Sequence, residues 1–418
     1  MAIAESLGEA HFIPDPWSLD LQTFDVSKPE IFQANQQHAY FKRLRAEAPV
    51  HYCPDSAHGG YWSITKFNDI VAIDTNHQQF SSRPTIVIGD PPDEFVTPMF
   101  IAEDPPKHDV QRKAATPAVS PSRLAELESL IRTRVNSILD DVPIGEEFNW
   151  VEAVSKELTT QMLATLFDFP FEDRHLLPYW SDAMTDSPNV GGTLSFEERH
   201  RIVTECGEYF ARLWMERAGA EPQMDFISLL AHDPETRDMI HDPMEFIGNL
   251  TLLIVGGNDT TRNSISGGVV ALNENPAEYQ KLKNDPSLIP NMVSEIIRWQ
   301  TPLAHMRRTA NEDVEFRGQQ IKAGDRVVMW YVSGNRDDEV IERADEFLID
   351  RPRARHHVSF GYGIHRCMGN RVAEMQLRLL WEEIMLRFDR IELVGEPERV
   401  LSNFVLGYSS VPVVVHPK

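Results

Sequence analysis

The stretch Phe360-Gly361-Tyr362-Gly363-Ile364-His365-Arg366-Cys367-Met368-Gly369 sets one cysteine in a glycine-rich turn, just ahead of a segment that reads as a helix. Gly361, Gly363 and Gly369 allow positive backbone torsions and the close approach of a flat partner, which a Cβ would hinder. A helix starting after Cys367 points its positive dipole end and free N–H groups at the sulfur, favouring thiolate over thiol. Thiolate is the form that binds metal. A lone cysteine is more often a small buried hydrophobe; the glycines and the helix start set this one apart.

The rest of the chain bounds what such a site can serve. Its 418 residues, 42% hydrophobic and 25% charged, supply ample material for a core. We expect one domain, residues 1–418, although length alone suggests two or three. A smaller β-rich part is expected over roughly residues 1–100, with strands near 316–332 and 400–415, and a larger helical part over about 101–400. Gly60 to Thr65 reads as a strand and Phe67 to Ile73 as the helix after it. Phe316 to Ile321 and Arg326 to Val332 read as strands split by the turn Lys322-Ala323-Gly324-Asp325. Apolar residues recur at helical spacing from Ser122 to Leu139 and from Phe196 to Ala218. The proline-bearing stretches Pro84 to Pro106 and Phe169 to Pro188 read as ordered surface loops. The class is mainly α with small β-sheets, without the alternation of a doubly wound fold.

Cys53, Cys206 and Cys367 are odd in number and far apart, so no disulfide framework is implied, and a reducing, cytoplasmic setting fits. The opening residues Met1 to Leu7 lack a basic flank followed by an apolar core, so no signal peptide is expected. The most apolar run, Phe246 to Val255, is too short to span a membrane and carries Asn249 and Thr251. A net charge of −24 repels nucleic-acid phosphates and anionic lipid, which argues against both as partners.

A second mark lies in the longest expected helix, from the N-cap Asp242 and Pro243 to about Leu272. Its apolar first half runs into Gly256-Gly257-Asn258-Asp259-Thr260-Thr261. A glycine pair alone reads as a packing notch, but followed by an acid and two threonines in a buried run it suggests a site. Glycines there permit a bulge or the approach of a flat ligand, and Thr260 can turn its hydroxyl toward whatever fills the gap. The third mark, Glu295 and Arg298, shares a face of a helix that Pro290 opens and Pro302 closes. Such pairs are common on surfaces, and only the order of the marks gives this one meaning.

In this order the three marks resemble the cytochrome P450 family. Phe-x-x-Gly-x-His-x-Cys-x-Gly, from Phe360 to Gly369, is similar to its haem-binding loop, and Gly256 to Thr261 to its oxygen-activation segment. The resemblance spans the chain from His108 to Gly369 and implies a cytochrome P450 fold, with haem b (iron protoporphyrin IX) between the long helix and the cysteine loop. It implies Cys367 as the axial ligand of the iron, with Phe360, Gly361, His365 and Gly369 against the cofactor. Thr260 would hydrogen-bond the dioxygen being activated and Asp259 would gate proton delivery. Glu295 and Arg298 would hold a buried turn behind the haem. His108, Arg112, Arg308 and His365 stand at the family's positions for the cofactor carboxylates, which arginine can grip through paired charge-assisted N–H bonds. Arg307 competes with Arg308, and the register favours the latter. The activity implied is haem-thiolate monooxygenation with O2. No flavin or iron–sulfur segment is present, so electrons are expected from a ferredoxin and its NAD(P)H-dependent reductase, docking around Arg366 and Arg371.

Gly248 to Ser264 and Thr301 to Arg308 resemble the bacterial subgroup that hydroxylates medium-chain alkanes at the terminal carbon and also acts on fatty acids. The expected lining is Ile86, Val87, Ile88, Phe95, Val96, Met99, Phe100, Leu252, Val255, Gly256, Leu303, Val405 and Leu406, almost none of which offers a hydrogen bond. A lid is expected between Phe169 and Phe196. Each buried methylene adds about 0.8 kcal/mol, and one methylene discriminates by only about 1–3 kcal/mol, so several chain lengths should react. A member of the family acting on a terpene, steroid or other secondary metabolite would keep every haem motif. A non-catalytic or gas-sensing haem protein would have no use for Asp259 and Thr260.

Overall fold

The computed structural model describes residues 13–92 and 96–418. The helix Pro243–Glu274 runs through the middle of the molecule, and buried residues surround it on nearly every side. Asp242 caps it, its carboxylate accepting from the Glu245 N–H at 3.2 Å. Around it pack the helices Glu157–Leu166, Leu176–Thr185, Phe196–Ala218, Ile289–Gln300 and Asn370–Arg387. Their apolar faces share one large core that includes Trp150, Trp180 and Trp381.

A five-stranded sheet stands to one side, ordered Val50–Cys53, Tyr61–Ile64, Arg326–Met329, Met306–Ala310, Phe80–Ser81. Tyr61–Ile64 runs parallel to Arg326–Met329 and the other neighbours are antiparallel. Side chains alternate along Met306–Ala310, so Arg307 and Arg308 leave it on opposite faces. That alternation decides which arginine reaches the site.

Several local readings change in three dimensions. The stretch from Phe169 to Pro188 holds the helix Leu176–Thr185, because Pro178 falls in its first turn, where a missing N–H costs no helical bond. Phe316 to Ile321 is a hairpin of Val314–Phe316 and Gln319–Ile321, turned by Arg317 (φ 48°) and Gly318 (φ 76°). The strand from Arg326 stops at Met329, and Tyr331–Gly334 is a short helix. Of the stretch from Pro84 to Pro106, the described residues on either side of 93–95 turn partly inward, burying Ile88 and Phe100 instead of lying on the surface. Near the end of the chain, Pro412–Pro417 pairs with Glu147–Asn149 and Phe388–Leu393, against the helices and away from the five-stranded sheet. The Gly256-Gly257 pair makes no bulge; the helix passes through it unbroken. Among the described residues, no helix is long and apolar enough to cross a membrane.

Candidate active site

A cavity of about 320 Å³ lies between the central helix and the cysteine loop, walled by Gly256 and Thr260 on one side and by Phe360, Gly361, His365, Cys367 and Gly369 on the other. The loop is closed by the Cys367 N–H donating to the Phe360 carbonyl at 2.8 Å. The helix Asn370–Arg387 follows directly. Gly363, at φ 66°, has no room for a Cβ, which would lie 2.5 Å from the Asp74 carbonyl oxygen. Gly369 is a glycine for another reason. Its φ is −91°, open to any residue, but a Cβ there would meet nothing within 4 Å. The same empty space stands over Gly256. Cys367 opens onto this gap while sitting deep in the protein, so burial pushes its thiol up, against the Gly369 N–H, Arg112 and Arg366. A bound metal reverses that balance, since a coordinating thiol is deprotonated outright.

Four basic side chains gather beside the loop. Arg308 lines the cavity and is held by Asp74, Nη2 to Oδ1 at 2.7 Å. The other oxygen of Asp74 accepts from Tyr331 Oη at 2.8 Å and the Tyr362 N–H at 2.7 Å, tying the arginine to the loop. Arg307, on the opposite face of its strand, pairs with Asp90. Arg112 lines the cavity and donates to the Arg366 carbonyl. His108 stands one layer back, outside the lining, with its ring 4.3 Å from that of His365. Burial first, then Arg308, His108 and Arg112, pull His365 down to about 2. His108 Nε2 and His365 Nδ1 are buried without partners. The orphaned nitrogen of His365, two arginines and a slot open above Gly256 and Gly369 fit a flat group with anionic substituents along one edge, with the His108 nitrogen behind them. Haem b is such a group, and Cys367 would supply its axial sulfur.

Thr260 borders the cavity and its hydroxyl donates to the Gly256 carbonyl at 2.9 Å. Asp259 faces away, fully buried, accepting from Ser181 Oγ at 2.9 Å and paired with Arg262. Burial raises its carboxyl, with Arg262 opposing. Arg262 also reaches the half-exposed Asp182, Nη1 to Oδ1 at 2.8 Å. Glu295 and Arg298 are 0% exposed and joined by two 2.7 Å bonds. Arg298 donates further to the carbonyls of Asn335, Ala344 and Glu346.

Of the expected apolar lining, Ile86, Val87, Val96, Met99, Phe100, Leu252, Val255, Gly256 and Leu303 border the cavity. Three residues do not. Ile88 is buried in a separate cluster with Tyr40 and Trp330, its N–H donating to His305 Nε2. Val405 packs in one cluster with Phe404 and Val190, and of the pair it is Phe404 that borders the cavity. Leu406 is drawn off by its N–H bond to the Pro302 carbonyl and joins the cluster of Ile88. Phe95 lies outside the described residues. Sequence reasoning missed Asp74, Tyr331, Phe404 and Met184. None of the four left a signal in the local sequence pattern.

Fold and site together define a haem-thiolate protein. The family model described as Cytochrome P450 matches residues 200–409. Linalool 8-monooxygenase of Pseudomonas putida is 36% identical, over 94% of this chain and 99% of its own length. A methyl-branched lipid omega-hydroxylase of Mycobacterium bovis is 30% identical, covering 89% of this chain and 90% of its own. The solved structure of cytochrome P450-153 from Novosphingobium aromaticivorans superposes with a TM-score of 0.88 at 46% identity, covering 94% of this chain and 100% of that one. The chain belongs to the cytochrome P450 family and is a haem-dependent monooxygenase served by redox partners.

Proposed function

We propose that the enzyme hydroxylates the terminal carbon of medium-chain linear molecules, alkanes, fatty acids or related compounds. The observation that carries this reading is the cavity wall, where Ile86, Val87, Met99, Leu252, Val255, Leu303 and Phe404 make a mainly apolar surface. Each methylene laid there adds about 0.8 kcal/mol of binding. A primary C–H bond is stronger than its internal neighbours, so the shape of the space must present the chain end. Resemblance to the cytochrome P450-153 structure and to a lipid omega-hydroxylase supports the same choice.

Haem b, bound through Cys367, supplies dioxygen activation, one oxygen atom entering the substrate and the other leaving as water. The Cys367 sulfur would tune the bound haem by its electron density, the chief lever a protein has on this cofactor. Thr260 holds a hydroxyl proton at Oγ1 beside the open space over Gly256. Asp259, its carboxyl raised by burial and held by Ser181 and Arg262 beside Thr260 on the same helix, would gate proton delivery to the cavity. Apolar walls exclude water from the reacting end. Electrons come from a ferredoxin and its reductase, docking on the exposed Arg366 and Arg371, in the cytoplasm. We read residues 1–418 as one domain.

The test is product analysis with octane, dodecanoate and linalool, using a surrogate ferredoxin and reductase. Terminal alcohols from octane or dodecanoate are expected. Oxidation of linalool alone would reject the reading and favour a terpene hydroxylase, the alternative raised by resemblance to linalool 8-monooxygenase.

A further inference from the structure

Three arginines line the cavity: Arg112, Arg199 and Arg308. Arg112 and Arg308 belong to the basic group beside the cysteine loop. Arg199 does not, and it is not among the charges that act on Cys367 or His365. It lies in the first turn of Phe196–Ala218, against the helix Leu176–Thr185. A cation is disfavoured at that end of a helix, where the dipole is positive. The same turn carries a capping box of Ser195 and Glu198, so the helix start is already satisfied without it.

Arg199 makes one side-chain hydrogen bond among the described residues, Nε to the Met184 carbonyl at 3.2 Å, and no ion pair. Partial burial depresses its guanidinium, and no carboxylate among the described residues offsets the effect. No aspartate or glutamate among the described residues lines the cavity. Arg199 is half-buried, and its guanidinium stands in the wall of an apolar space without a carboxylate among the described residues. An anion entering that space would pair with it more strongly than in open water.

We propose that Arg199 is a specificity-determining residue that grips an anionic end group, so that this cavity takes a linear carboxylate in preference to a hydrocarbon. The inference rests on the terminal-hydroxylation reading and narrows it. The planar fork of arginine matches a carboxylate by two parallel N–H bonds. With the head group held at Arg199, the chain lies along Met184, Val190 and Phe404, and its methyl end is left for the cysteine side. An alkane leaves the guanidinium uncompensated.

The test is isothermal titration calorimetry of the haem-loaded enzyme with dodecanoate and with methyl dodecanoate, for the wild type, Arg199→Gln and Arg199→Lys. A lost charge-assisted bond should raise the dodecanoate Kd of Arg199→Gln by about 10- to 100-fold, with Arg199→Lys between. The methyl ester should bind all three proteins within about twofold, which also shows that the variants remain folded. An unchanged dodecanoate Kd in Arg199→Gln, or equal weakening for acid and ester, would overturn the assignment. The position of the hydroxyl on dodecanoate, measured in the wild type, is a separate readout. Attack away from the chain end would reject the terminal reading while leaving the acid-to-ester affinity ratio to decide Arg199.

Discussion

Replacing Arg298 by methionine should be among the most damaging single changes behind the cysteine loop. Arg298 makes five hydrogen bonds, two to Glu295 and one each to the carbonyls of Asn335, Ala344 and Glu346. Glu295 would keep the Leu348 N–H and Arg351, both at 2.9 Å, and Glu346 O would keep Arg351. The carbonyls of Asn335 and Ala344 would lose a charged donor. Breaking a buried ion pair costs about 3–5 kcal/mol, and each orphaned acceptor about 1–3 kcal/mol, partly overlapping. A loss of about 5 kcal/mol is therefore expected, a large share of a total near 5–15 kcal/mol. The damage should reach the haem. Asn335 Oδ1 accepts from the Val358 N–H at 2.8 Å and its Nδ2 donates to Ser359 Oγ at 2.8 Å, directly before Phe360. Urea unfolding followed by circular dichroism would measure the first effect. The red-shifted absorption of the reduced carbon monoxide complex would report the second. Stability within about 0.5 kcal/mol of wild type, with full haem content, would refute the reasoning.

Further expectations concern other parts of the molecule. Gly248→Ala should destabilise by about 1–3 kcal/mol, because its Cβ would lie 2.0 Å from the Pro98 carbonyl oxygen, whereas Gly256→Ala on the same helix meets no protein atom within 4 Å; equal thermal shifts of the two haem-free variants would contradict this. His305, held down to about 3 by burial, accepts from the Ile88 N–H through Nε2 and contacts the Asn403 carbonyl through Nδ1, an arrangement that requires a neutral ring. Its folded pKa lies below the unfolded value near 6.5, so its contribution is present above that pH and lost on acidification towards 3. About 2 kcal/mol should vanish between pH 7 and 5, and a parallel pH–stability slope in His305→Gln would sink the assignment. Reversing the charge of the exposed Arg366 and Arg371 should slow reduction by ferredoxin, measured by stopped flow, and leave substrate binding unchanged; unaltered transfer would reject that docking face.

What could be read from the residues was whatever neighbours along the chain determine. Phe196–Ala218 has the bounds its apolar periodicity suggested, and the cysteine turn precedes a helix because glycine torsions and a helix start are local properties. The spacing from Gly256 to Thr260 likewise put both residues on the cavity side of one helix. Contacts between distant segments were not legible. Nothing in the spacing of Asp74 and Arg308, 234 residues apart, announces their ion pair. Nor does a list of apolar residues tell that Ile88 turns into a neighbouring cluster while Val87 faces the cavity. Arg199 reads in the sequence as one more surface charge. Only the packing of Phe196–Ala218 against Leu176–Thr185 puts it in the cavity wall. Backbone preference and side-chain period are carried by a few adjacent residues, whereas the direction in which a side chain finds its partner is set by how whole elements pack.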